Sequence, residues 1–283
     1  MTLAELIPLL MKASVAAMVI AMGLQADRGE LTWLLRQPGL LARSLVSMIL
    51  IAPVLATGAA LVFRLTHMAE VMLVALSLAP VPPLLPRKQK KAEGREAYAL
   101  SLLVCAAVAS IVSIPIWVEV VERVAGVPLR MTAAAVAKIV LVTVLAPLAV
   151  GALVRVLAPR FAAELARPLS TLALAALALG LLAVLAKAWP AIMAQVGDGT
   201  LLAIVAFVAL SLAVGWALGG PEPSDRTVLA LSTATRHPGV ALAIVSANYP
   251  GEKGAAATLL LFLLVGGVVS GVWLAVRKRR AKG

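Results

Sequence analysis

Leu73-Val-Ala-Leu-Ser-Leu-Ala79 runs directly into Pro80-Val-Pro-Pro-Leu-Leu-Pro86, and Val228-Leu-Ala-Leu-Ser-Thr-Ala234 runs into Thr235-Arg-His-Pro-Gly239. The two apolar strings share Ala, Leu, Ser and Ala at four of seven positions. Ala/Leu-rich helices produce such matches by chance, so the string alone decides little. The proline break that follows each copy decides more. Inside a bilayer a free backbone N–H or C=O is costly, so a helix breaks only where protein or a wet cavity satisfies the freed groups. Interrupted spans at corresponding places in two halves point to the binding site of a secondary transporter, because bare helix ends attract ions and solutes.

The remaining composition supplies the setting. Of 283 residues, 62% are hydrophobic and 13% charged, and the mean hydropathy is +1.03. That balance excludes a soluble domain and predicts an all-α polytopic membrane protein. Apolar runs separated by charged or Pro/Gly breaks give about nine transmembrane helices, near 6–24, 44–64, 69–86, 97–118, 131–154, 168–187, 200–219, 226–248 and 255–276. The first run has neither a basic leader nor a convincing cleavage site, and reads as a retained span. The single cysteine, Cys105, excludes an intrachain disulfide and any cysteine-based metal cluster.

The net charge of +12 does not signal nucleic acid, because no basic groove with aromatics accompanies it. The charge sits in short loops and at the C-terminus, where topology and anionic headgroups account for it. With nine spans, one side collects Arg87, Lys88, Lys90, Lys91 and Arg95 after span 3, and Arg277, Lys278, Arg279, Arg280 and Lys282 at the C-terminus. The other side carries far fewer, among them Arg64, Arg123, Arg130 and Lys187. The positive-inside rule then places the N-terminus outside and the C-terminus in the cytoplasm, in a cell (inner) membrane.

The first break lies in span 3 of a four-span half, residues 1–124, and the second in span 4 of a five-span half, residues 125–283. One missing N-terminal helix gives that offset. The halves then begin on opposite sides, which makes them inverted repeats. Loops are short, and no phosphate-binding glycine loop or nucleophile–base pair is visible, so neither ATP-driven transport nor an enzyme is expected, and no cofactor.

Arg236-His237-Pro238-Gly239 is the most specific local signal. Proline removes a donor and disfavours helix at His237, and glycine permits a turn. Arg236 thus lies near the middle of a span, where an arginine is a functional-site hypothesis by default. A shifted span would instead put it in a loop, but residues 227–234 would then be too short to cross. His237 reads either as a proton-coupling group or as a neutral imidazole bonded to freed backbone. Arg87 and Lys88 read either as facing a cavity or as opening the basic loop. Lys138 in span 5, like Lys12 in span 1, pairs with a substrate or snorkels to the interface. Glu119 and Glu122 read as a solvated helix end, with no His or Asp to complete a metal site. Gly219 and Gly220, like Gly266, Gly267 and Gly271, suggest close helix packing.

This pattern resembles the bile acid:sodium symporter family and its relatives. The similarity includes Met22-Gly-Leu-Gln-Ala-Asp27, Leu35-Arg-Gln-Pro38, Ile49-Leu-Ile-Ala-Pro53 and Val144-Leu-Ala-Pro-Leu-Ala-Val-Gly151 with Leu153-Val-Arg155, and it runs over nearly the whole chain. It implies two inverted repeats forming a panel and a core, with spans 3 and 8 unwound and crossing. Nine spans fit members that lack the first helix. The family's sodium ligands do not carry over. Its Ser/Asn pair falls on Arg87 and Lys88, and its motif glutamate and glutamine fall on Thr233 and His237. Of the Ser and Thr in its next helix, Ser101 matches and Cys105 replaces the Thr. Met48 stands where a Gln precedes the span 2 proline. A hard cation needs several oxygen ligands, so Ser101 and Thr233 remain only as an alternative sodium set, and no other metal is expected.

The candidate substrate-binding residues are therefore Ser232, Thr233, Thr235, Arg236, His237, Pro238 and Gly239 at the second break, Ser77, Pro80, Pro82 and Pro83 at the first, and Ser101 and Lys138. The expected function is a secondary transporter of a small organic anion, working by alternating access around spans 3 and 8 without the usual two sodium sites. The expected partners are that anion and the lipid bilayer, with a proton or sodium as the coupling ion left open. The alternatives are a sodium-coupled symporter of the bile acid type, and a channel or non-transporting scaffold.

Overall fold

Long apolar runs rich in Ala, Leu and Val form helix in a bilayer because only helix satisfies every backbone group within one segment. The computed structural model describes residues 3–63, 65–125, 131–197, 199–250 and 252–280, so Arg64, Arg130 and Lys282 of the charge comparison lie outside the described residues. Within them the regular structure is helical: α1 (Leu3–Gly23), α2 (Pro38–Phe63), α3 (His67–Leu78), α4 (Leu85–Lys91), α5 (Glu96–Ala125), α6 (Ala133–Leu157), α7 (Pro159–Met193), α8 (Thr200–Leu218), α9 (Pro223–Ala234), α10 (Pro238–Asn248) and α11 (Lys253–Arg280). The protein is an all-α polytopic membrane protein.

Among the described residues eight segments are long and apolar enough to cross a membrane, α9 and α10 together making one of them. The ninth expected span, 69–86, divides into α3 and α4, and α3 alone is a shorter apolar helix. The reason is local. Pro80, Pro82 and Pro83 remove donors and force the residues before them out of helix. Span 6, expected over 168–187, is instead the single long helix α7.

Other prolines are absorbed without a break, Pro115 in α5 and Pro168 and Pro190 in α7 among them. Pro53 and Pro147 cannot bond back into their helices, and each follows a stretch of wider π-type turn, Val46–Ile51 and Leu141–Leu145. There the N–H of Ala52 reaches the carbonyl of Ser47, and that of Ala146 reaches Leu141. The proline strings of spans 2 and 5 are thus helix adjustments rather than ends.

The helices pack as two groups. In the first, α1 lies between α6 and α7. Glycine permits the approach: a Cβ on Gly151 would sit 2.1 Å from the Ile20 carbonyl oxygen, and the Cα atoms of Gly23 and Gly151 face each other. The second group holds α2, α3, α4, α5, α8, α9, α10 and α11 around one large apolar core, to which Val136, Val140 and Val144 of α6 and Ile192 of α7 also belong. Here Gly215 and Gly219 of α8 and its end abut the α9 backbone at Ala230 and Arg226. Gly267 and Gly271 have open space around them, so they are not packing contacts, and Gly266 meets only Val208.

The basic residues expected on one side do meet at one end of the molecule. Arg95 pairs with Asp225 at 2.6 Å and lies over the Trp33 ring, Arg155 reaches Asp27 at 3.8 Å, and Arg277 lies over Trp216 and Trp273. Tryptophan beside arginine is an arrangement suited to a membrane–water interface.

Candidate functional site

The two breaks meet. After α3, Ala79 takes an extended conformation (φ −67°, ψ 144°), and no helix resumes until α4. After α9, Thr235 is extended (φ −112°, ψ 127°) and His237 precedes Pro238 at φ −72°, ψ 106°. The His237 N–H donates to the Pro80 carbonyl at 2.9 Å, so each interruption satisfies a backbone group freed by the other. Around this point α3 packs on α10 and α4 on α9, which makes the two interrupted segments cross.

Arg236 fills the crossing. It is 1% exposed, and its Nη1 donates to the Ala79 carbonyl at 3.3 Å. Its Nε and Nη2 have no hydrogen-bond partner among the described residues. The helices α3 and α9 both end beside Arg236, and the carbonyl that accepts from its guanidinium, that of Ala79, lies at the negative C-terminal end of α3. His237 caps α10: its Nδ1 accepts from the N–H groups of Gly239 and Val240 at 3.2 and 3.3 Å. An accepting Nδ1 is the neutral-imidazole arrangement. Its Nε2 is buried with no hydrogen-bond partner among the described residues.

The hydroxyls beside the crossing are already engaged. Ser77 donates to the Val74 carbonyl at 2.6 Å. Thr233 donates to Leu229 at 2.8 Å and shares a 2.7 Å bond with Ser47 of α2. Ser232 accepts from Gln89 at 2.7 Å. Pro82 and Pro83 are buried and Thr235 is half-buried. Two expected members of the site lie elsewhere. Ser101 accepts from the Leu34 N–H at 3.2 Å and donates to Ala97, bracing α5 against the segment before α2. Lys138 is exposed on α6 and lines neither cavity described below.

Sequence reasoning missed Gln89 and Ser47. Gln89 Nε2 donates to both the Val228 carbonyl at 2.8 Å and Ser232, tying α4 to α9. Nothing in a basic run such as Arg87-Lys-Gln-Lys-Lys91 singles out its one buried member.

A cavity of about 420 Å³ opens between the two helix groups at the basic end. Met18 and Met22 of α1 give it an apolar wall, and Arg87, Lys91 and Arg167 give it a cationic one. Lys90, also at its edge, is neutralised by Glu96 at 2.7 Å. The volume suits a small organic molecule. A second recess of about 370 Å³ lies within the larger group at the same end, beside the Arg95–Asp225 pair. Arg87 therefore faces a cavity, while Lys88 is exposed and lines neither.

A crossing of two interrupted helices beside an amphipathic cavity between helix groups is the architecture of a membrane transporter. The family model described as Sodium Bile acid symporter family matches residues 13–195, and the chain belongs to that family. The match takes in the first break, α7 and all the residues lining the 420 Å³ cavity, and it ends before α8, so the second break lies beyond it. Comparison with curated proteins gives no match.

Proposed function

We propose that the protein is a secondary transporter of a small organic anion, working by alternating access around the crossing of α3/α4 with α9/α10. The two halves, residues 1–124 and 125–283, act as inverted repeats. The cavity opens to the cytoplasm, in a cell membrane with the N-terminus outside. The cationic wall and the family membership support the anion.

The observation that carries the coupling mechanism is Arg236. Sodium-coupled carriers hold their cation on unwound carbonyls and helix C-termini. Here the guanidinium takes that position and bonds to the Ala79 carbonyl. No Asp or Glu lies among residues 77–83 or 229–239, and the neighbouring hydroxyls are spent on protein partners. These groups do not fit the usual two sodium sites. Arg236 acts as a tethered cation: it supplies the charge that holds the crossing together, but it cannot travel with the substrate. Transport is then facilitated, exchange-type or proton-linked.

The family name favours a second reading, ordinary sodium symport on backbone carbonyls. Uptake into proteoliposomes with and without a sodium gradient separates the two. The tethered cation predicts uptake indifferent to sodium and lost in Arg236→Ala, with the variant still folded by thermal melting. Uptake that needs the gradient restores symport, and normal uptake by Arg236→Ala sinks the role of the guanidinium.

A further inference from the structure

We propose that Arg87 reads the charged head of the transported anion, and that its bond to Ser170 is a placeholder which the anion displaces. This rests on the anion-carrier reading above and adds the residue that recognises the anion and the contact it breaks.

Arg87 differs from the paired cations at this end of the molecule, and from Lys91 and Arg167, which line the same cavity without a carboxylate partner among the described residues but are exposed. Lys90 is paired with Glu96, Arg95 with Asp225, and Arg155 approaches Asp27. Arg87 is half-buried, lines the cavity, and has no carboxylate partner among the described residues. Its partner is neutral: Nη1 donates to Ser170 Oγ at 2.9 Å and, more distantly, to the Ser170 carbonyl at 3.4 Å. A guanidinium has five N–H donors in a planar fork, and only Nη1 is in use within the described structure. The remaining donors suit an oxyanion that presents two acceptor oxygens side by side, a carboxylate, sulfonate or phosphate monoester. Ser170 offers the guanidinium only neutral acceptors on one nitrogen, whereas an oxyanion adds full opposite charge and two parallel bonds. Such a head therefore outcompetes the Ser170 hydroxyl for the fork, while the apolar body lies against Met18 and Met22.

The geometry gives that exchange a mechanical consequence. Arg87 belongs to α4 of the larger helix group and Ser170 to α7 of the smaller one. Their bond latches the two groups across the cavity. Leu84, just before α4, adds an apolar contact to the cluster of Met18, Ala173 and Leu177 beside it. An anion that takes Arg87 from Ser170 loosens the latch where the groups must move apart, so recognition and release of the gate are one event.

The test uses the full chain in detergent, in sodium-free buffer. Thermal stability is read against carboxylates, sulfonates and phosphate monoesters of increasing apolar body, with the matching alcohols as neutral controls. A ligand of the folded state raises the melting point by mass action. The expected result is stabilisation by at least one anion and by none of the alcohols. Arg87→Lys, which keeps the charge and loses the fork, should weaken that anion about tenfold or more. Ser170→Ala, which removes the competitor, should tighten it about two- to tenfold. Equal affinity in Arg87→Lys overturns the assignment and leaves the carrier reading standing. Weaker or unchanged binding by Ser170→Ala overturns the placeholder, and it reads out even if the arginine variant fails to fold. If no anion stabilises the wild-type protein, the carrier reading falls and this proposal falls with it.

Discussion

Gln89 shows how much one buried amide holds. Its Nε2 gives two bonds to α9, to Val228 and Ser232, across a contact between the short helix α4 and α9. The helix α4 has only seven residues and three of its lysines point to no apolar core, so its position depends on such ties. Gln89→Ala removes both bonds and leaves a small void in a fully buried place. The expected cost is about 1–3 kcal/mol, seen as a lower melting temperature in detergent. An unchanged melting temperature would mean that α4 is held by Leu85 and Pro86 alone. Arg236 is the contrasting residue. Its sequence announced it, because an arginine inside a span is rare. What sequence could not supply was its partner, the Ala79 carbonyl, since any residue has a carbonyl and only the fold brings this one within 3.3 Å. Gln89 and Ser47 were invisible for the complementary reason: ordinary polar residues become important only through burial against a particular neighbour.

At the scale of helices, proline carries most of what the sequence reveals, and glycine the rest. Both interruptions were legible because proline acts locally, through its own ring and missing donor. Pro53 and Pro147 show the limit of that logic, since the same residue is accommodated by a wider turn where the helix continues. Whether a proline breaks or merely bends a helix depends on its companions: three closely spaced prolines end α3, and single ones do not end α2 or α6. Span positions were also legible, because hydropathy needs no partner, but which helices pack together was not. Gly151 makes that pairing testable. A methyl there would collide with the Ile20 carbonyl and with Gly23 of α1. Backbone cannot rotate aside as a side chain can, so Gly151→Ala should force α1 and α6 apart at a cost of about 1–3 kcal/mol. Gly58 is the control. It lies in α2 with open space around it, and Gly58→Ala should be neutral or stabilise by about 0.5–1 kcal/mol. Thermal melting of the two variants side by side checks the claim. Equal effects would mean that α1 and α6 are not in this contact.

For the molecule as a whole, the question is which end faces the cytoplasm. The described ion pairs Lys90–Glu96, Arg95–Asp225 and Arg155–Asp27 lie at one end, with the tryptophans that arginine covers. The opposite end carries the Arg123–Glu119 pair within α5, the His67–Tyr249 ring contact and the Thr258–Gln195 bond. Lysine and arginine are retained on the cytoplasmic side during insertion, so the basic end should lie inside, and the cavity with Arg87 should open inward. The chain's one cysteine simplifies the measurement. In a Cys105→Ala background, a cysteine at Lys91, exposed at the basic end, reports one face, and a cysteine at Gly197, exposed beyond α7, reports the other. A membrane-impermeant maleimide added to intact cells should label Gly197→Cys and spare Lys91→Cys, and permeabilisation should expose both. The reverse pattern would turn the carrier over in the membrane. It would make the cavity a site for loading from outside, and the same latch between Arg87 and Ser170 would then gate entry on the external side.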